Sequence, residues 1–143
     1  MKTLQTILAT TLLLLSFSSV AEQSYGDVTV SRLTSVYDGD TFTVDIDELD
    51  PIVGKKIRIR VNGVDTPEIK GKCDSEKELA IEARDYVNAL LNNADEILLV
   101  NIKRGSFFRI IADVMVDGVN LADLLIDNNL GRVYGGAKQS WCD

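Results

Sequence analysis

The sequence predicts an α+β fold, a small five-stranded Greek-key barrel with two helices. Three observations lead there. Short runs on either side of Asp38-Gly39-Asp40, and again over "KIRIRV" (56–61), alternate apolar and polar residues with the period of a strand. After Cys73 the apolar spacing changes to that of a helix. Two more β-rich runs and a short helical stretch complete the order: three strands, a helix, two strands, a helix.

Each element has its own warrant. The opening "MKTLQTILATTLLLLSFSSVA" (1–21) has basic Lys2, an apolar stretch from Ile7 to Phe17, and small residues at Ser19 and Ala21. That is the layout of a secretory signal peptide, with an uncleaved anchor as the competing reading. The domain is then residues 22–143. Val28, Val30 and Leu33 roughly alternate in the first strand, and Phe42, Val44 and Ile46 do so cleanly in the second. The Asp-Gly between them is a hairpin signal. A polar loop around Pro51 and Gly54 precedes the third strand, where Ile57, Ile59 and Val61 share one face and Arg58 and Arg60 the other. Leu79, Ala83, Tyr86, Val87 and Leu90 follow a helical rhythm over 75–92, and Ser75 with Glu78 reads as a capping box at its start. "EILLVNIKRG" and "FRIIADVMVDG" read as two strands joined around Gly105. "NLADLLIDNNLG" is a short helix with Leu121, Leu124 and Leu125 inward and Gly131 as its stop, and "RVY" (132–134) a last strand piece. Five strands with a helix between the third and fourth suit a barrel of the OB type, although periodicity alone leaves other α+β arrangements open.

Composition narrows the chemistry. The chain carries a formal charge of −7, and loss of Lys2 with the leader makes it −8, a poor global partner for nucleic acid or an anionic membrane. Locally the balance reverses: residues 55–72 hold six bases (Lys55, Lys56, Arg58, Arg60, Lys70, Lys72) against Asp65 and Glu68. An anion site belongs there. There is no histidine, which excludes imidazole-based catalysis and thiolate–imidazole zinc sites. A metal would have oxygen ligands, as Ca²⁺ or Mg²⁺ does. The two cysteines, Cys73 and Cys142, read as a disulfide in an exported chain.

Acids and arginines gather around two short motifs. Asp38 and Asp40 lie at a turn, and Asp65 and Glu68 flank Thr66-Pro67 on a loop that proline stiffens. Arg60 sits on the polar face of the third strand, and Arg109 opens the fifth. Singly, each has a bland reading as a turn former or a surface charge. Together, carboxylates for a hard cation, a carboxylate base and two guanidinium groups suit a phosphodiester substrate.

The same residues carry a resemblance to the staphylococcal nuclease (thermonuclease) family. Asp38-Gly39-Asp40-Thr41 and Val64-Asp65-Thr66-Pro67-Glu68 match its two signatures, and Arg60 and Arg109 stand where it carries its arginines. The similarity spans roughly residues 28–141. It implies an OB-fold, Ca²⁺-dependent nuclease of DNA or RNA that leaves 3′-phosphate ends. It further implies that Asp40, Asp65 and the Thr66 carbonyl bind Ca²⁺, with Asp38 in the outer shell. Glu68 would act as general base, and Arg60 and Arg109 would hold the phosphate. Tyr134 is the expected nucleotide-stacking residue, with Phe107 as a second surface, and Lys70 and Lys72 are expected to contact substrate. Before Arg109 this chain reads Gly105-Ser106-Phe107-Phe108, a departure from the family's pattern, and it lacks the type member's long terminal helix. The expected protein is a monomer, free of membrane after leader cleavage, in the periplasm or medium. The competing readings are an OB-type module that holds single strands without cutting them, and an exported Ca²⁺-binding structural domain.

Overall fold

A computed structural model describes residues 24–142; the predicted leader lies outside them. The first strand is one extended run in two pieces, Val28–Thr29 (β1) and Arg32–Val36 (β2). β1 pairs antiparallel with Ile97–Arg104 (β6), and β2 with Thr41–Asp45 (β3). Where the run changes neighbours, Val30 N–H donates to Ile97 O and Ser31 N–H to Asp45 O, each at 2.9 Å. β3 pairs antiparallel with Ile57–Val61 (β4), and β4 runs parallel to Arg109–Val116 (β7), which returns to β6. The bent first strand thus closes the five predicted strands into a barrel. Val64–Asp65 (β5) and Arg132–Val133 (β9) form a separate two-stranded ribbon, and Val119–Asn120 (β8) adds to β7.

Alternation drives the barrel. Ile57, Ile59 and Val61 are buried with Phe42, Val44, Leu99, Ala112 and Val114, while Arg58 is exposed and Arg60 half-buried on the outer face. Asp74–Asn93 (α2) lays Ala80, Ala83, Val87 and Leu91 on this core; Leu79, Tyr86 and Leu90 flank the stripe and are half-buried. The capping box does not form. Cys73 is the N-cap with no side-chain cap bond, because it is disulfide-bonded, and the buried first-turn acid is Glu76. Among the described residues three helices are present rather than two. The expected polar loop contains Pro51–Gly54 (α1), capped by Asp50 accepting from Ile52 N–H at 3.0 Å.

Leu121–Asp127 (α3) is capped by the Asn120 side chain, which accepts from Ala122 N–H at 2.8 Å. It buries Leu121, Ala122 and Leu125, while Leu124 is half-buried. Its chain reversal uses Asn129 in the left-handed region, at φ 58°, rather than Gly131. Gly131 serves close packing: a Cβ there would stand 2.6 Å from Val64 Cγ2, so the bare backbone lets the last ribbon strand lie against the loop carrying Asp65. Among the described residues no helix is long and apolar enough to cross a membrane.

Candidate functional site

The turn Tyr37–Asp40, between β2 and β3, is the first wall of the site. Asp40 N–H donates to Asp38 Oδ1 at 3.2 Å, and Thr41 Oγ1 donates to Asp40 Oδ1 at 2.9 Å. Val61 N–H donates to Asp40 O at 2.8 Å, which fastens the turn to the end of β4. The second wall follows β5: Thr66 N–H donates to Asp40 Oδ2 at 3.0 Å, a bond across 26 residues that joins the two sequence motifs. Gly39 permits this approach, since a Cβ on it would lie 2.9 Å from both Ala83 Cβ and Thr66 Cγ2. Asp38, Asp40, Asp65 and Thr66 are all buried.

Arg60 rises from β4 between the two acids. Its Nη1 pairs with Asp40 Oδ2, its Nη2 is 3.5 Å from Asp65 Oδ1, and Tyr134 lies 5.9 Å from its guanidinium carbon. Arg109 comes from β7, where its Nε and Nη2 donate to Ser106 O and Oγ, each at 3.3 Å. The parallel register sets Arg109 opposite Arg58. Asp38, Asp40, Arg58, Arg60, Glu68, Arg109 and Tyr134 line a single cavity of about 410 Å³. The sequence-derived acids, arginines and Tyr134 are therefore brought together, with Asp65 and Thr66 bonded to its wall.

Lys70 and Lys72 go elsewhere. These two residues, expected to contact substrate, line an adjoining cavity of about 290 Å³ with Asp65, Glu68 and Trp141 rather than the cavity that holds Arg60. The cause is the loop's path. Glu68 N–H donates to Glu76 Oε1 at 3.3 Å and Lys72 N–H to Glu76 Oε2 at 2.8 Å, which curls residues 68–72 around the buried first-turn carboxylate. Gly71 is pressed against that carboxylate, where a Cβ would meet Glu76 Cδ at 2.5 Å. Phe107 is exposed at the tip of the β6–β7 hairpin and is not among the residues lining either cavity.

The segment after β9 supplies what residue patterns missed. Cys142 is bonded to Cys73, 69 positions away, as expected. Trp141 stacks on Arg132 at 3.8 Å, and its Nε1 donates to Asp65 Oδ2 at 3.4 Å. Lys138 pairs with Glu68 and stands 3.8 Å from Asp65 Oδ1. Tyr37 also lines the main cavity. Lys138 had no signal in the sequence beyond its position four residues before a cysteine.

Electrostatically the site is strained by its acids. Burial first, and Asp40 beside it second, push the Asp38 carboxyl up to about 7. Burial pulls the Lys138 ammonium down, but the hydrogen bond and charge of Glu68, with Asp65 and Asp40 behind it, outweigh this and raise it. Asp65 Oδ1 is buried and accepts no hydrogen bond. Crowded carboxylates, an oxygen with spare valence and an all-oxygen donor set fit a hard divalent cation. Among the described residues a different set of ligand-type groups, Cys73, Glu76 and Cys142, brings its ligand atoms within 4.8 Å of one another, and its two sulfurs are spent on the disulfide.

A search of curated proteins finds no match for this chain. A family model for staphylococcal nuclease homologues matches residues 58–141, more than half of the chain, from Arg58 on β4 to Trp141. The Asp38–Asp40 turn lies ahead of that span and is tied to it by the Asp40–Thr66 and Asp40–Arg60 contacts. With a barrel of the OB type, a carboxylate–arginine cavity and this match in hand, the chain belongs to the staphylococcal nuclease homologue family.

Proposed function

We propose that the protein is an exported Ca²⁺-dependent nuclease that hydrolyses phosphodiester bonds of DNA, RNA or both and leaves 3′-phosphate ends. One observation carries the reading: Asp40, Arg60, Glu68 and Arg109, separated by up to 69 positions, line the same cavity. Asp40, Asp65 and the Thr66 carbonyl are the residues that would hold Ca²⁺, with Asp38 behind them. Bound there, the ion would supply positive charge against the phosphate.

The chain's own groups do the rest. Glu68, half-exposed at the mouth, accepts a proton from an attacking water at one of its carboxylate oxygens. Arg60 and Arg109 offer planar forks of N–H donors to the phosphate oxygens, where charge grows in the transition state. Tyr134 presents an aromatic face beside Arg60 for a base or sugar. The Pro67 backbone fixes the separation of Asp65 and Glu68.

The test is direct. The mature protein is mixed with labelled single-stranded DNA, duplex DNA and RNA in Ca²⁺, Mg²⁺ or chelator. Cleavage in Ca²⁺ that stops in chelator supports the reading. Binding without cleavage under every condition points to an OB-type binding module instead, and neither binding nor cleavage to a structural Ca²⁺ domain.

A further inference from the structure

Residues 134–142 run along both cavities as a strap fixed at both ends, Tyr134 and Lys138 lining the main one and Lys138, Gln139, Ser140 and Trp141 the adjoining one. At one end Tyr134 N–H donates to Gly63 O at 3.0 Å. At the other, Cys142 is bonded to Cys73, and Arg132 Nη1 donates to Ser140 O at 2.8 Å. Between these anchors the chain is exposed, and Gly135 and Gly136 bring no side chains of their own. Lys138 is the one cation on this stretch, and it lines both cavities, which also share Glu68.

Its present partners do not hold it firmly. The Lys138 side chain is 57% exposed and that of Glu68 43%, so water competes for both charges. The Arg60 side chain, by contrast, is 14% exposed and pairs with Asp40 and Asp65, whose own side chains are buried. A phosphate entering between the two cavities meets an ammonium on a solvent-facing arm that can swing from a carboxylate to an incoming anion without unfolding anything.

We propose that Lys138 is a substrate-phosphate ligand, held on Glu68 in the free protein and presented to the nucleic acid by the disulfide-anchored strap. The phosphate it takes is the one at the junction of the two cavities, so the bound strand runs from the arginine-lined cavity towards Lys70 and Lys72. The inference rests on the reading of the main cavity as a nucleic-acid site, and it concerns binding rather than bond cleavage. Reduction of Cys73–Cys142 would free the strap and withdraw this cation, which links substrate affinity to the redox state of the compartment.

The experiment measures binding of a labelled single-stranded oligonucleotide in chelator, where no cleavage interferes, over a range of salt. Wild type, K138A, K138R, C73S/C142S and the triple variant are compared, with melting temperatures recorded for each. Loss of one phosphate contact makes the slope of log Kd against log salt shallower by about 0.7. We expect that change in K138A, retention of the slope in K138R, the same loss in C73S/C142S, and no additional loss in the triple variant. An unchanged slope in K138A, even with an altered cleavage rate, overturns the proposal and leaves Lys138 as a lock on Glu68. A full further loss on adding K138A to C73S/C142S overturns the role of the disulfide. Should the disulfide-free chain fail to fold, the K138A and K138R slopes decide alone. Wild type that binds but does not cut in Ca²⁺ removes the nuclease reading and leaves this inference standing. An oligonucleotide that does not bind at all removes both.

Discussion

Gly39→Ala tests whether the two motifs of the site are held together by close packing. Gly39 is not in the left-handed region, so alanine meets no backbone penalty, and the effect is purely steric. The new Cβ would lie 2.9 Å from Ala83 Cβ, 2.9 Å from Thr66 Cγ2 and 3.0 Å from Thr66 Cβ. These are short side chains on a helix and a hydrogen-bonded loop, with no flexible end to turn away. Overpacking of this kind costs about 1–3 kcal/mol. For a domain of about 120 residues, an unfolding entropy near 2.1 cal/mol/K per residue converts this to a fall in Tm of about 4–12 °C. The relaxation also has a direction: it pushes the Asp38–Asp40 turn away from Thr66 and stretches the 3.0 Å Thr66–Asp40 bond. A displacement near 1 Å at a positioned group costs about 10²-fold in rate, so activity should fall further than stability alone explains. Differential scanning calorimetry and a cleavage assay well below the new Tm separate the two effects. Adding Thr66→Ser removes Cγ2 and should recover part of both losses. A Tm within 1 °C of wild type together with an unchanged rate would refute the packing argument.

The remaining predictions concern chemistry and stability. Glu68→Gln should leave Tm nearly unchanged and lower the rate roughly 10²–10⁴-fold, and Arg60→Lys should also be severe because an ammonium cannot span Asp40 and a phosphate as a fork does; wild-type rates in both would remove the catalytic assignment. Chelator should abolish cleavage, with Ca²⁺ restoring it at about 10⁻⁴–10⁻³ M; undiminished activity in excess chelator contradicts this. Loss of the disulfide should destabilise the chain by about 4 kcal/mol in the loop-entropy model, given the 69-residue separation; an equal denaturation midpoint for C73S/C142S contradicts it. Asp45 accepts from Lys56 N–H and from Arg32, with Lys55 nearby, which holds its carboxyl below the ordinary 3.8. Its stabilisation is fully present above that value and is lost as pH falls through the lower folded-state value. Asp45→Asn should therefore lower Tm at pH 7, with the gap closing as pH falls below 3.8; a gap independent of pH would show that charge is not the cause.

The barrel was legible because its strands repeat every second residue, and β4 carries both signals at once: Ile57, Ile59 and Val61 inward, Arg58 and Arg60 outward. The acids and arginines were legible as types that suit one substrate. What the sequence concealed was contact across distance. Ser75 and Glu78 have the spacing of a cap, but a disulfide and the buried Glu76 already determine that helix start. Lys70 and Lys72 sit beside the Asp65–Glu68 motif, yet the loop wraps around Glu76 and carries them into a neighbouring cavity. The reach of Lys138 to Glu68, 70 residues earlier, depends on a strap whose path only the folded chain defines.

The parallel pairing of β4 with β7 has a temporal consequence. Arg60 and Arg109 face one cavity only once two strands whose paired residues lie 51 positions apart have docked side by side, and Lys138 arrives later still along the chain. Pairings of such long sequence separation form slowly and late, after local turns and helices. A one-position slip of β4 would point Arg60 into the apolar interior, and the same slip of β7 would do so to Arg109. Nascent or partly folded chains thus hold every reacting group and no working arrangement of them. If the protein is the exported nuclease proposed above, that delay would keep its activity silent while the chain is still unfolded inside the cell that makes it.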